Sequence, residues 1–245
     1  MQWQDKAIVL STQALAQTGV RLTALTSGHG RAAGLYRPTA RKNGGRHVPQ
    51  VGEVVTLHWR ARLAEHLGNW QLEPLHNHLP YTLSNPAKLQ AVSAMTGLCE
   101  ALLPEHHPYP QLYDACCRLL IDLAQPDWPD WINSYVAFEM TLLQDLGFQL
   151  DLGRCAVTGT TSNLAYVSPK TGRAVSLAGA GNYASRLLPL PAQTDALAWL
   201  ELTGFFLRRY GADGRRLPAA RDALIDQLTI LGGQSGMQDT IAAIG

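Results

Sequence analysis

Within residues 53–63, apolar and polar residues alternate from Val55 to Leu63, and this run constrains the fold more than any other part of the chain. From Val55 onward apolar side chains occupy every second position, and the polar residues between them include His58, Arg60 and Arg62. A period of two residues is typical of a half-buried β-strand. One face of the strand is therefore expected to join a core, and the other to carry positive charge.

Four shorter runs in the first 80 residues also have the composition of strands, and glycine and basic residues separate them. They cover residues 6–12, 20–27, 31–36 and 69–73. Five short strands favour a small barrel, and the OB-fold is the five-stranded example. The first half of the chain is thus predicted to be an OB-fold barrel.

After Pro80 the apolar residues recur every three or four positions, which is the period of amphipathic helices. Asn85 and Pro86 form a helix start, and Thr194 is expected to cap a later helix. Helices are predicted at residues 86–103, 109–124, 131–146, 195–210 and 218–231. The predicted architecture is α+β: an OB-fold domain at residues 1–80 and an all-helical domain at residues 81–245, with a glycine-rich, loop-rich insert at 153–181 and a flexible tail at 232–245.

The formal charge of the whole chain is +1, but this near-neutrality is a cancellation between unlike halves. Residues 1–80 contain 9 Lys and Arg against 4 Asp and Glu, whereas residues 81–245 contain 11 against 15. The predicted barrel therefore carries +5 and the helical part −4. A basic half of this kind is suited to phosphate.

Within the predicted barrel, basic residues lie on one strand face and in one run that contains no acidic residue. A cationic groove of this kind binds nucleic acid by releasing counterions, and Tyr36 or Trp70 is a candidate for stacking on bases. The alternative is an ordinary solvated surface. The candidate DNA-binding residues are Arg31, Arg37, Arg41, Lys42, Arg46, His58, Arg60 and Arg62.

Motifs for cofactors, metals and catalysis are weak. The glycine-rich run at residues 28–34 follows a predicted strand, but a dinucleotide loop must open a helix, and Pro38 follows without any helical period. His76, His78 and the pair at 106–107 lack further ligands at metal-binding spacing. We therefore expect no cofactor, no metal and no catalytic residue.

The four cysteines and the apolar runs bear on the compartment. Two of the cysteines are adjacent in a predicted helix, which is a poor disulfide framework and favours a reducing cytoplasm. Neither a signal peptide nor an apolar run of membrane-spanning length is visible. The expectation is a cytoplasmic protein that does not bind membranes.

The segments FEMTLLQDLGF at residues 138–148 and LGRCAVTG at 152–159 closely resemble the centre of the RecO family of bacterial recombination-mediator DNA repair proteins. The resemblance continues through YVSPK at 166–170, GRAVS at 172–176 and LLPLP at 187–191, and AIVLS at 7–11 is similar too. It covers nearly the whole chain, and its most specific part is residues 138–191.

This resemblance implies an OB-fold joined to a helical domain in a non-enzymatic, nucleoid-associated protein of homologous recombination. RecO-type proteins bind single- and double-stranded DNA, anneal complementary strands, and act with RecR to help RecA replace single-strand-binding protein (SSB). Their helical domain binds the acidic C-terminal tail of SSB. No motif fixes the residues for that contact, and Arg118, Arg154 and Arg186 are only guesses.

Many relatives in this family carry a zinc site made of two Cys-x-x-Cys pairs, and this chain departs from that pattern. At the four positions it has Cys155, Thr158, Ser176 and Gly179. One thiolate cannot make a tetrahedral structural zinc site. We therefore predict that the chain binds no zinc and that Cys155 is a buried remnant.

Two other classes of function remain open from the residues alone. One is a nucleotide- or cofactor-binding enzyme that uses the loop at residues 28–34. The other is an adaptor whose barrel binds only protein.

Overall fold

The computed structural model describes residues 1–15, 19–38, 48–62, 67–125, 131–212, 214 and 216–242. Its first five strands form a closed barrel in the order β1-β2-β3-β5-β4. Neighbouring strands are antiparallel except β3 and β5, which are parallel. The predicted OB-fold is confirmed. The strands are β1 (Gln2–Leu15), β2 (Gly19–Thr26), β3 (Gly30–Tyr36), β4 (Val54–Arg60) and β5 (Asn69–His76).

Strand β1 begins four residues earlier than predicted. Trp3 pairs with Trp59, and Asp5 with Leu57, so the partner strand β4 extends the ladder to the start of β1. The early residues Gln2, Gln4 and Asp5 have low strand propensity and gave no local signal. The length of β1 is therefore set by its pairing partner.

Alternate residues of the five strands point into the barrel and form its core. Trp59 was expected in this core, and its burial confirms the prediction. The suggestion that Tyr36 or Trp70 stacks on bases is wrong, because both are core residues, exposed by only 6% and 3%. The core also contains Ala7, Val9, Leu22, Ala24, Ala32, Val55 and Leu57.

Two glycines make room for the indole rings of this core. A Cβ atom at Gly34 would lie 1.8 Å from Nε1 of Trp70, and one at Gly68 would lie 2.1 Å from Nε1 of Trp59. Both distances are far below van der Waals contact. Gly34 is therefore a packing residue of strand β3. The run at residues 28–34 continues into this strand and opens no helix, which excludes the dinucleotide loop.

Asp5 joins strand β1 to the turn between β2 and β3. Its carboxylate accepts hydrogen bonds from the Ser27 hydroxyl, from the Gly28 amide at 2.7 Å and from the amide of Lys6 at 2.8 Å, and lies 2.9 Å from Nδ1 of His29. Desolvation alone would raise the pKa of Asp5, but the hydrogen bonds from Ser27, His29, Gly28 and Lys6 lower it below its ordinary value of 3.8. The ionised carboxylate therefore stabilises this end of the barrel.

The predicted helices are present, with differences at their ends. The carboxamide of Asn85 accepts a hydrogen bond from the Lys88 amide at 3.2 Å, which confirms the first cap. Asp195, not Thr194, caps the later helix, since its carboxylate accepts from the Ala198 amide at 3.0 Å. The helices are α1 (Pro86–Leu102), α2 (Pro110–Ala124), α3 (Trp131–Asp145), α4 (Leu177–Ala180), α5 (Ala196–Phe206) and α6 (Ala219–Ala242).

Two helix ends and the insert depart from prediction. Helix α5 passes into a π-helical turn at Leu207–Gly211, and α6 continues to Ala242 although we expected its end at residue 231. The two glycines at 232 and 233 cost a helix only about 1 kcal/mol each, so they do not by themselves stop it. The insert is not only loops: it contributes β6 (Leu164–Val167) and β7 (Ala174–Ser176), which form a sheet in the order β7-β6-β8 with β8 (Leu188–Pro189).

The chain forms two compact units. The first contains Met1–Ser134 and the chain from Pro218 onward, and the second contains Tyr135–Leu217. The predicted domain boundary near residue 80 thus lies inside the first unit, and it stays a prediction. Among the described helices, none is long and apolar enough to cross a membrane.

In the first unit, helix α1 and the segment between α1 and α2 pack against the barrel. The Ser11 hydroxyl donates to Glu100 of α1 at 2.5 Å, and a Cβ atom at Gly52 would lie 2.7 Å from Val92 of the same helix. In the second unit, Phe148 stacks on Tyr210 with 3.9 Å between ring centroids. Buried Thr203 of α5 donates to Glu139 of α3 at 2.5 Å.

The contact between Gly34 and Trp70 predicts the effect of one added methyl group. Gly34→Ala should lower the free energy of unfolding by about 2 kcal/mol, because the barrel must shift an indole ring. Urea denaturation followed by circular dichroism measures the change. Gly153→Ala is the matched control, because a Cβ there meets nothing within 4 Å. Equal stability of the two variants would contradict the packing role of Gly34.

The hydrogen bonds of Asp5 predict a pH-dependent loss of stability. Asp5→Asn should lower the free energy of unfolding by about 1 kcal/mol at pH 7, since charged acceptors make the stronger hydrogen bonds. The folded pKa is depressed, so the stabilisation is present above 3.8 and is lost as the pH falls through the folded pKa. The difference in free energy of unfolding between the native protein and the variant should therefore become smaller towards pH 3, as measured by urea denaturation. Asp114→Asn, which changes an exposed carboxylate on α2, should show little loss at pH 7.

Candidate nucleic-acid interface

The outer surface of strands β1, β4 and β5 is a continuous polar face. Register places its side chains in three rows across the strands. All are exposed or half-buried. The rows are Gln2–Arg60–Asn69, Gln4–His58–Gln71 and Lys6–Thr56–Glu73, and we refer to these nine residues as the open face.

The outer surface of strands β2 and β3 is different, because much of it is covered. Thr23, Leu25 and Ala33 are buried there although they lie on the outer side of their strands. The segment between α1 and α2 lies along the start of β3, where the His106 amide donates to the Arg31 carbonyl at 2.9 Å. OB-fold barrels commonly use strands 2 and 3 to bind oligonucleotides. In this chain the open face is the more accessible surface.

Arg31 is part of this covering contact. Its Nε donates to the Leu103 carbonyl at 2.7 Å, and its Nη1 lies 3.2 Å from the Glu105 carboxylate. The guanidinium therefore already has protein partners. A strand rises about 3.3 Å per residue, so Arg31 is roughly 20 Å from Arg37 at the other end of β3.

The structure brings three predicted residues to one end of the barrel. Nη1 of Arg37 donates to Asn69 at 3.3 Å, and Asn69 is the register partner of Arg60. Arg62 follows two residues after Arg60, and all three arginines are exposed. We refer to Arg37, Arg60 and Arg62 as the cationic end. Arg41, Lys42 and Arg46 lie outside the described residues.

His58 lies in the middle row of the open face. Its Nε2 atom is buried and has no hydrogen-bond partner among the described residues. The Glu73 carboxylate is 3.7 Å away, which is too far for a hydrogen bond. The nearest charged group to this nitrogen is therefore the Glu73 carboxylate, in the next row of the open face.

A cavity of about 460 Å³ opens on two of the three rows. Its size is within the range of small-ligand sites. The sequence interpretation identified the arginines of this region but missed its carboxamides and Lys6. Gln2, Gln4 and Lys6 occupy alternate positions of β1. A predicted strand that began at residue 2 would have shown that they share one face. The cavity is lined by Gln2, Trp3, Gln4, His58, Trp59, Arg60, Asn69 and Gln71.

The three arginines guessed to bind a partner protein are all exposed, but the structure does not place them in one unit. Arg118 is on α2 in the first unit, whereas Arg154 and Arg186 belong to the second. The guanidinium of Arg186 lies 6.0 Å from the ring centroid of Tyr183. Their role in binding a partner stays a prediction.

In the second unit, Cys155, Thr158, Ser176 and Gly179, the four positions compared above with a two-pair cysteine site, come together. The Cys155 sulfur accepts hydrogen bonds from the amide and hydroxyl of Ser176 at 3.2 and 3.3 Å and from the Thr158 amide at 3.4 Å. A Cβ atom at Gly179 would lie 3.0 Å from the same sulfur. Cys155 is buried, as predicted.

These hydrogen bonds act on the Cys155 thiol. Desolvation would raise its pKa, but donation from Ser176 and Thr158 lowers the pKa from 9.0 to about 6. The described residues contain no group of three His, Cys, Asp or Glu side chains that could hold a metal ion. Hydrogen bonds to the Cys155 sulfur therefore connect residues from different parts of the insert.

Comparison with known proteins identifies similarity to the RecO family over most of the chain. The model for the recombination protein O N-terminal domain matches residues 1–78, and that for the C-terminal domain matches residues 83–208. The DNA repair protein RecO of Ruegeria sp. (strain TM1040) is 40% identical over 240 residues, which cover 93% of this chain and 98% of the relative. RecO of Rhizobium etli (strain ATCC 51251) is 42% identical, covering 92% and 91% of the two chains, and RecO of Cereibacter sphaeroides (strain ATCC 17029) is 38% identical, covering 93% and 98%.

The convergence of four positions around Cys155 predicts that cysteines can recreate a metal site. In a tetrahedral zinc site the sulfur atoms lie about 3.8 Å apart. Here the Thr158 amide, the Ser176 amide and a Cβ at Gly179 lie 3.4, 3.2 and 3.0 Å from the Cys155 sulfur, so all three positions are near it. The triple variant Thr158→Cys, Ser176→Cys and Gly179→Cys should bind about one zinc ion per chain, and the native protein none. Elemental analysis of untagged protein measures both.

The same variant with Cys155→Ala added is the control, and it should bind zinc more weakly. Zinc in the native protein, or its absence from the triple variant, would contradict this account of the insert.

Proposed function

The chain belongs to the RecO family of DNA repair proteins, and we propose that it binds single- and double-stranded DNA and anneals complementary strands in homologous recombination. The observation that carries this proposal is the cationic end beside the open face, on the barrel whose other outer surface is partly covered. Annealing breaks and forms no covalent bond. The proposal therefore assigns no catalytic residue and no cofactor.

The physical basis of annealing in this proposal is charge neutralisation. Two complementary strands repel each other through their phosphates, and arginine and lysine side chains reduce that repulsion while counterions are released. Arg37, Arg60, Arg62 and Lys6 supply exposed positive charge on described parts of the barrel. Arg41, Lys42 and Arg46 remain proposed contacts. Arg31 acts in this scheme by holding the segment at residues 103–107 to the barrel, not by binding phosphate.

The proposed partners are RecR, the acidic tail of SSB and, indirectly, RecA. In this scheme the protein works in the cytoplasm on nucleoid DNA, and the helical part of the chain contacts the partner proteins. Arg118, Arg154 and Arg186 are candidates for the acidic tail because all three are exposed cations. A protein-only adaptor is the alternative, and it would bind neither single-stranded nor duplex DNA.

The cationic end predicts how binding responds to salt. Arg60→Ala with Arg62→Ala should weaken binding to a single-stranded oligonucleotide and reduce the slope of log K against log salt by about 0.7 for each lost phosphate contact. Fluorescence anisotropy at several salt concentrations measures both quantities. The control is Arg173→Ala, which removes an exposed arginine from the second unit. An unchanged slope would remove the cationic end from the site.

Two further measurements test the wider proposal. Replacing Arg41, Lys42 and Arg46 together should lower the affinity and the salt slope in the same assay. The native protein should accelerate annealing of complementary strands with and without bound SSB. Failure to bind either form of DNA would favour the adaptor.

A further inference from the structure

Four carboxamides surround the cavity of the open face. Gln2 and Asn69 lie on either side of Arg60 in one row, and Gln4 and Gln71 lie on either side of His58 in the next. Adjacent strands are about 4.8 Å apart, and residues two positions apart on one strand are separated by about 6.7 Å. The six side chains therefore form a patch whose dimensions match one nucleotide.

A carboxamide carries a donor and an acceptor side by side. This pattern matches the edge of a base, where donors and acceptors also alternate, and bidentate contacts of Asn or Gln with adenine are the standard example. A phosphate offers only acceptors, so it would leave the amide oxygens of Gln2, Gln4 and Gln71 without a partner. The Asn69 oxygen already accepts a hydrogen bond from Arg37. Four carboxamides around one cavity therefore suit a base better than a phosphate.

The aromatic side chains of the barrel stack on one another or are buried in its core. Trp3 stacks on His29 with 4.1 Å between ring centroids and on Trp59 at 5.6 Å, while Tyr36 and Trp70 are buried. Proteins that bind single strands usually stack bases on exposed rings. In the described part of this barrel, recognition of a base must therefore depend on hydrogen bonds, and the carboxamides of the cavity supply the donors and acceptors.

We propose that this cavity binds the edge of one unpaired base and thereby favours single-stranded over duplex DNA. In a duplex the Watson–Crick edge is occupied by the complementary base, so the carboxamides lose their partner. Arg60, between Gln2 and Asn69, binds the adjoining phosphate. The inference rests on the proposed function, because it presupposes that the barrel binds DNA.

The test compares three ligands of equal length: a single-stranded oligonucleotide, its duplex and a strand of abasic residues. Gln4→Ala with Gln71→Ala should weaken binding to the normal single strand about tenfold, as loss of one bidentate contact does. Affinity for the duplex and the abasic strand should stay the same, and so should the salt slope. Gln13→Ala is the control, since it removes an exposed carboxamide of β1 outside the cavity.

Equal losses on single strand and duplex would overturn the inference, because the carboxamides would then contact the backbone. Unchanged affinity for the single strand would overturn it as well. If the alanine variant fails to fold by circular dichroism, Gln4→Met with Gln71→Met keeps the volume and removes the hydrogen bonds. Native protein that binds none of the three ligands would instead refute the proposed function itself.

Discussion

The indole rings of Trp59 and Trp70 fill the barrel, and the composition of its outer surface follows from this placement. Successive residues of a strand point to opposite faces, so rings on the inside place His58 and Arg60 of β4 and Asn69 and Gln71 of β5 on the outside. A slip of one residue would bury these polar groups and expose the rings. The close approach of each ring to a glycine strengthens this register, since bulkier residues would exclude it. The register of the strands thus determines both the packing of the core and the residues of the candidate site.

Local patterns were sufficient to predict much of this fold. The alternation at residues 53–63 placed β4 and the core position of Trp59, and Asn85 placed the start of α1. What could not be predicted depends on distant partners: β1 is extended by β4, and Arg31 is engaged by the segment after α1. The sequence analysis grouped Arg31 with Arg37 and Arg60 because all three are positively charged. The tertiary structure shows that Arg31 lies apart from the other two. Short strands in the insert were missed because they are too brief to show a period.

Cys155 shows how such an insert can be organised around a single sulfur. Amide and hydroxyl donors from residues on both sides of the insert converge on one buried acceptor. Each contact is weaker than a metal bond, but the three-stranded sheet adds backbone hydrogen bonds between the same segments. Many small interactions together thus stabilise this insert.

The single-nucleotide size of the carboxamide cavity has a consequence for turnover. A protein that holds a lone strand more tightly than the annealed product opposes the reaction that it promotes, by the free energy of that preference. A tenfold preference corresponds to about 1.4 kcal/mol, which is close to the mean stacking energy of one base-pair step. Pairing of a few neighbouring bases exceeds this energy, so in the proposed scheme the product would leave the face as the duplex grows. A row of several such cavities would trap the strand instead.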